Sequence, residues 1–227
     1  GSGGGVAANI LNEKYEVGIF EKGSYGNGMT NNETFGYHNF YDTNGIQQTR
    51  GYKVLLLAGM GIGGGTSVNW TTSLRTPNQI LNEWDTLTKQ DNYFNSHEFK
   101  NSMDYVCKEL NVDIKNNRIP QKEEKLAEGL ELNNLSYKII PRNTSNDECT
   151  ESGFSTFGRY DESINSTNKI WFSEERFEPN NVFSDTNITS LDLSNGRATH
   201  INIENNGTLH KVAVDKVVLA AGSLNTP

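Results

Sequence analysis

The chain has 227 residues, a formal net charge of −8, 21% charged residues and only 5 prolines. That length suits one sizeable domain or two small ones, and the balance is that of a folded globular protein, not a disordered or fibrous one. The acidic charge and the lack of any Lys/Arg run exclude the basic face that nucleic acid or an anionic membrane requires, and no apolar run reaches the length of a membrane span.

The chain opens on Gly1-Ser2-Gly3-Gly4-Gly5 and closes on Thr226-Pro227 without an initiator Met, signal peptide or transit peptide. Both ends are expected to be cuts through a longer protein, and the compartment stays open. Cys107 and Cys149 make neither a disulfide framework nor a metal site. Cys107 shares a helix face with Phe99, Met103, Val106 and Leu110 and is expected to be a buried core thiol, while Cys149 falls in a polar loop. Asn-x-Ser/Thr triplets at Asn32, Asn69, Asn143, Asn165, Asn187 and Asn206 follow from a composition rich in Asn, Ser and Thr.

In chain order, a Gly-rich turn is expected to lead into a helix over Val6 to Lys14 and a strand over Tyr15 to Phe20 that ends at Glu21. Residues 24–50 read as a long polar excursion. Lys53 to Ala58 is a short apolar strand feeding a second Gly-rich turn, Gly59 to Gly65. Thr76-Pro77 signals a helix start, and helices are expected near 78–89, 97–110 and 121–133. Residues 141–168 are polar and irregular. Val182 to Leu193 gives one or two strands, and Ala198 to Ile203, Asn205-Asn206-Gly207 and Leu209 to Val214 make a hairpin. Lys216 to Ala221 reads as an apolar strand suited to the middle of a parallel sheet.

The first turn carries a nucleotide-site signal. Gly1 and Gly4, with Ser2 between them, fit the second and third glycines of G-x-G-x-x-G, the first being expected just upstream. Such a turn aims a helix N-terminus at a pyrophosphate. Glu21, at the end of the second strand, is placed to accept hydrogen bonds from both hydroxyls of an adenosine ribose. The competing reading of the glycines is a flexible linker, which the helix, strand and Glu that follow disfavour. In the second turn, Gly65 stands where a phosphate-binding loop needs Lys, so a nucleoside-triphosphatase is rejected. Three consecutive glycines before Thr66 to Asn69 favour close approach to a large planar ligand over a mere packing turn.

Gly63 to Trp70, followed by Ser73-Leu74-Arg75-Thr76-Pro77, resembles the second flavin motif of the glucose–methanol–choline (GMC) oxidoreductases, and the wording is close to their long-chain fatty alcohol oxidase branch. Asn82-Glu83-Trp84 and Pro141-Arg142-Asn143 have counterparts in that branch, and Val217 to Pro227 looks like the family's strand-then-turn returning to the cofactor. The resemblance implies an α/β, Rossmann-like (FAD/NAD(P)-binding) three-layer fold with a β-meander in place of a crossover helix, truncated at both ends. It implies one FAD-binding domain fragment over 1–227 with a mainly helical insertion at about 78–140, the substrate domain and C-terminal catalytic segment lying outside.

The resemblance further implies FAD as cofactor, held by Gly1, Ser2, Gly4, Glu21, Gly64, Gly65, Thr66, Asn69, Ala221, Gly222 and Ser223. Trp70 is read as a flavin wall or a core residue, Arg75 as structural, and Asn69 as unglycosylated because a glycan there would meet the flavin. The implied activity is oxidation of a long-chain primary alcohol to the aldehyde by hydride transfer to flavin, with O2 or another electron acceptor. His38, His97, His200 and His210 are scattered, so no catalytic residue is assigned; the family's base would lie beyond Pro227. No metal, nucleic-acid or membrane partner is expected. Departures from the family are the sparse Cys and Gly over 148–160 and the loose match after Asn181, with Ser190 near the adenine position. Two other readings stay open: an inactive nucleotide-fold remnant serving as a scaffold or interaction module, and an NAD-dependent dehydrogenase, against which the second glycine motif argues.

Overall fold

The computed structural model describes residues 1–25, 32–115, 119–145, 163–173 and 175–226. The described residues fall into two compact units: 1–25, 32–70, 166–173 and 175–226 in the first, and 71–115, 119–145 and 163–165 in the second.

In the first unit, helix α1 spans Ser2–Asn12. It starts at Ser2, not at Val6, so the opening glycines are helical and do not form a turn before the helix. Glycine in a helix costs about 1 kcal/mol relative to Ala. Here it is retained because other chain segments occupy the space of the missing side chains: a Cβ on Gly5 would overlap the methyl of Thr167, and one on Gly4 would come within 2.9 Å of the Ala220 Cβ. The expected strand over Tyr15 to Phe20 contracts to β1, Ile19–Phe20, which pairs in parallel with β4, Val182–Phe183. Phe20 and Phe183 stack with centroids 4.8 Å apart. The polar excursion contains a helix, α2, Glu33–Phe40, whose N-cap Asn32 accepts from the Phe35 amide. Phe40 and Tyr41 then pack with Val68 as a buried cluster.

The strand expected over Lys53 to Ala58 is β3, Leu55–Leu56, antiparallel to β2, Gln47–Gln48. Short helix α6, Thr167–Trp171, replaces the expected irregular chain at its start; Ser166 caps it by accepting from the Lys169 amide. Strands β5 (Thr186–Ser194), β6 (Arg197–Asn205) and β7 (Thr208–Ala213) form an antiparallel meander in chain order. Ile201 and Ile203 fill its buried face, as their alternation in the sequence required. The loops β5–β6 and β6–β7 turn at Asn195-Gly196 and Asn206-Gly207, all four at positive φ, the geometry of hairpin turns that follow the strand twist.

Lys216 to Ala221 is not a strand. Among the described residues no segment pairs with it, and Val218 and Leu219 are 59% and 57% exposed. An apolar run becomes a strand only when a neighbour takes up its backbone groups. The chain then turns into the single-turn helix α7, Gly222–Asn225.

The second unit is built on α3 (Asn78–Thr88), α4 (His97–Glu109) and α5 (Gln121–Leu132), within a residue or so of the expected bounds. Pro77 and Pro120 precede α3 and α5, and Ser96 caps α4 by accepting from the Phe99 amide. Cys107 is only half-buried, a correction to the core thiol expected, because α4 buries no residue fully. Cys149 lies outside the described residues. Buried Asp85 ties α3 to the next loop, its carboxylate accepting from the Phe94 amide and the Asn95 side chain at 3.0 and 3.1 Å. Asn143 and Asn165 are buried and hydrogen-bonded through both backbone and side chain, which leaves no room for a glycan on either. Among the described residues no helix is long and apolar enough to cross a membrane.

Candidate functional site

All eleven sequence-predicted site residues lie in the first unit. The Gly-rich loop is the centre. Gly61, Gly63 and Gly64 adopt φ of +98°, +93° and +53°, and backbone hydrogen bonds from Gly64 to Gly61, Thr66 to Gly63 and Ser67 to Gly64 wind residues Gly64–Thr66 into a 3-10 turn. A left-handed φ at Gly63 strains any residue with a Cβ, and one built there would also meet the Ser67 hydroxyl and Asn168.

Two close approaches bind this loop to the start of α1 and to itself, and a third joins α1 to the return segment. A Cβ on Gly64 would lie 3.1 Å from the Gly1 Cα, and one on Gly59 would lie 2.6 Å from both Cα and N of Gly65. Gly4 meets Ala220 as described above, which brings the return segment ending in Ala221, Gly222 and Ser223 against α1. Thus Gly1, Gly4, Gly64 and Gly65 are brought together, with the residue before Ala221 alongside them. Gly222, at φ +82°, and Ser223 are exposed in the first turn of α7. Ser2 is exposed at the start of α1. The amides of that first turn have no acceptor within the helix and, with the helix dipole, make a setting for a negatively charged group.

Glu21 is fixed by the β1–β4 pair. Its amide donates to the Phe183 carbonyl and its carbonyl accepts from Thr186, both at 2.9 Å. Its carboxylate oxygen Oε1 accepts from the amides of Gly23 at 2.9 Å and Gly61 at 3.2 Å. The carboxylate therefore ties the strand end to the glycine loop. Beside it, Lys22 pairs with Asp42 at 2.7 Å, which pulls the Asp42 carboxyl below its ordinary range.

Thr66 and Asn69 brace the loop. The Thr66 hydroxyl is 2.6 Å from the Gly63 carbonyl and 2.9 Å from the Thr167 hydroxyl, and it accepts from the Thr167 amide at 3.0 Å. Asn69 donates its side-chain amide to the carbonyls of Gly65 and Thr66, both at 2.9 Å. Trp70 is 68% exposed and is not part of the buried core among the described residues. In the second unit, Arg75 pairs with Asp104, which raises the guanidinium pKa further. The four histidines sit on α2, α4, β6 and β7, and among the described residues no group of His, Cys, Asp and Glu could hold a metal.

Three contributors were missed by sequence reasoning: Gly5, Gly59 and Thr167. Gly5 and Gly59 were part of recognised runs, but what they touch depends on chain packing. Thr167 carried one local signal, the N-cap Ser166 that opens α6.

The mixed α/β architecture is consistent with a kinship in sequence. The GMC oxidoreductase family model matches residues 17–227. This chain belongs to the GMC oxidoreductase family. It is 29% identical over its full extent to long-chain-alcohol oxidase FAO4A of Arabidopsis thaliana, covering 32% of that protein. To FAO4B of the same plant it is 33% identical over 75% of the chain, covering 23% of the relative, and to FAO1 34% over 64%, covering 19%. The chain thus spans about a third or less of the length of these relatives.

Proposed function

We propose that this chain forms the FAD cradle of a flavin-dependent alcohol oxidase that oxidises a long-chain primary alcohol to the aldehyde, with O2 as electron acceptor. The observation that carries the reading is the glycine cradle. A Cβ on Gly59 would overlap the Gly65 backbone, one on Gly64 would crowd the Gly1 Cα and one on Gly4 would meet Ala220, at the open first turn of a helix, with a carboxylate tied to the same loop. A dinucleotide needs those elements together: backbone close to a pyrophosphate, a helix N-terminus, and an acceptor for ribose hydroxyls. The family assignment supports a flavin, and the names of the long-chain-alcohol oxidase relatives support a long-chain alcohol.

In this reading the layered, Rossmann-like fold with its β5–β7 meander is one FAD-binding domain over 1–227, with the helices of about 78–140 as an insertion. When bound, FAD supplies the hydride acceptor that side chains lack. The amides of Gly1, Ser2 and Gly4 face the pyrophosphate, and Glu21 takes the ribose hydroxyls while Oε1 keeps its hold on Gly61. Gly64 and Gly65 let the backbone approach, and Thr66 and Asn69 keep the loop in shape behind them. Ala221, Gly222 and Ser223 close the site from the return segment.

The test is purification of the full-length protein. It is expected to carry flavin absorption bands that a long-chain primary alcohol bleaches under anaerobic conditions, with hydrogen peroxide formed when O2 is admitted. A protein that binds no flavin, or whose flavin no alcohol reduces, overturns the proposal.

A further inference from the structure

Thr167 is the most enclosed polar side chain near the glycine loop, 0% exposed, and nothing in the motifs singled it out. It touches both halves of the cradle. Its methyl, Cγ2, stands where a Gly5 side chain would be, on the first turn of α1. Its hydroxyl and its amide both address the Thr66 hydroxyl, at 2.9 and 3.0 Å. Thr66 Oγ1 has one proton for two acceptors, the Gly63 carbonyl and the Thr167 hydroxyl. When that proton goes to Gly63, the closer acceptor, the Thr167 hydroxyl donates to Thr66.

We propose that Thr167 is a positioning residue that locks the 64–66 turn in register with the first turn of α1, and so sets the spacing of the two backbone surfaces that face the cofactor. The inference rests on the FAD reading above. Threonine combines the two parts needed at one position: a methyl for the Gly5 gap and a hydroxyl for Thr66. Valine keeps the shape and loses the hydroxyl; serine does the reverse.

The experiment compares the wild type, Thr167→Val and Thr167→Ser as full-length protein. Flavin affinity is measured by the quenching of flavin fluorescence, and the melting temperature is read with and without added FAD. Thr167→Val is expected to weaken FAD binding about tenfold, the scale of one buried hydrogen bond, and to shrink the FAD-induced rise in melting temperature. Thr167→Ser is expected to stay within about threefold of the wild type. The double variant Gly5→Ala/Thr167→Ser is expected to melt higher than Gly5→Ala alone, because removing Cγ2 ends the worst overlap and leaves only the tight approaches to Cβ and the hydroxyl oxygen. Should Thr167→Val bind FAD as tightly as the wild type, the proposal is overturned. It is equally overturned if valine lowers the flavin-free melting temperature and leaves the FAD-induced rise intact, since the role would then be structural only. A wild type that binds no FAD overturns the cofactor reading instead.

Discussion

Replacing Gly59 by alanine is the sharpest test of the glycine cradle. The new methyl would sit 2.6 Å from the Cα and N of Gly65 and 2.8 Å from the carbonyl carbon of Gly64. Carbon atoms pack best at about 3.5–4.0 Å, so the two ends of the loop must part by roughly 1 Å. The obstacle is backbone, and no rotamer change relieves it. Overpacking of this kind costs about 1–3 kcal/mol, and the stiffer unfolded chain returns about 0.4–1 kcal/mol. The expected net loss is about 1–2 kcal/mol. Gly129 in α5 provides the opposite case, because no heavy atom lies within 4 Å of its missing Cβ. Gly129→Ala is expected to stabilise by up to about 1 kcal/mol.

The assay is urea unfolding. Trp171, 1% exposed and in the same unit as Gly59, reports the first loss by fluorescence once Trp70 and Trp84 are replaced by phenylalanine. Far-ultraviolet circular dichroism, to which α3, α4 and α5 all contribute, reads the Gly129→Ala gain as a higher unfolding midpoint. A Gly59→Ala chain as stable as the wild type, or more so, would refute the packing read from the loop.

Three further outcomes are expected. Glu21→Gln keeps one carbonyl oxygen for the Gly23 and Gly61 amides, so stability should fall by less than about 1 kcal/mol while flavin affinity falls about tenfold; equal affinity would remove Glu21 from the site. The Asp42 carboxyl is held below its ordinary value by its hydrogen bond to Lys22. Its contribution is therefore full above the unfolded-state value, near 3.8, and lost as pH falls through the lower folded value. Lys22→Met should cost about 0.5–1 kcal/mol at neutral pH, discounted for partial exposure, and the difference should vanish in strong acid, as read from urea midpoints across pH. Asp85→Ala strands the Phe94 amide and leaves the Asn95 side chain with its bond to Asn82 alone, and should cost the second unit about 1–3 kcal/mol, seen as a lower melting temperature by circular dichroism.

What could be read from the chain without coordinates follows the range of the forces involved. Helices α3, α4 and α5 were placed within a residue or so because proline starts and amphipathic spacing are local. The meander was legible for the same reason, with Asn206-Gly207 marking its turn. Strand lengths were not, because a ladder needs a partner far away in the chain: β1 shrank to Ile19–Phe20 and Lys216 to Ala221 found none. The start of α1 was misplaced because glycine runs usually mean turns, and only contact with Thr167 and Ala220 explains why they are helical here. The glycine runs and Glu21 of the candidate site were visible as motif. The bracing roles of Thr66 and Asn69 were not, since both look like donors to a ligand until their backbone partners are seen.

The absence of slack around Gly59, Gly64 and Gly5 has a thermodynamic consequence. A binding surface already held by its own backbone contacts loses little configurational freedom when a ligand arrives. Association at this cradle should therefore show a small entropic penalty and a rate set by encounter, with little ordering of the loop. Calorimetry across temperature would show it as a heat-capacity change no larger than the buried apolar surface requires.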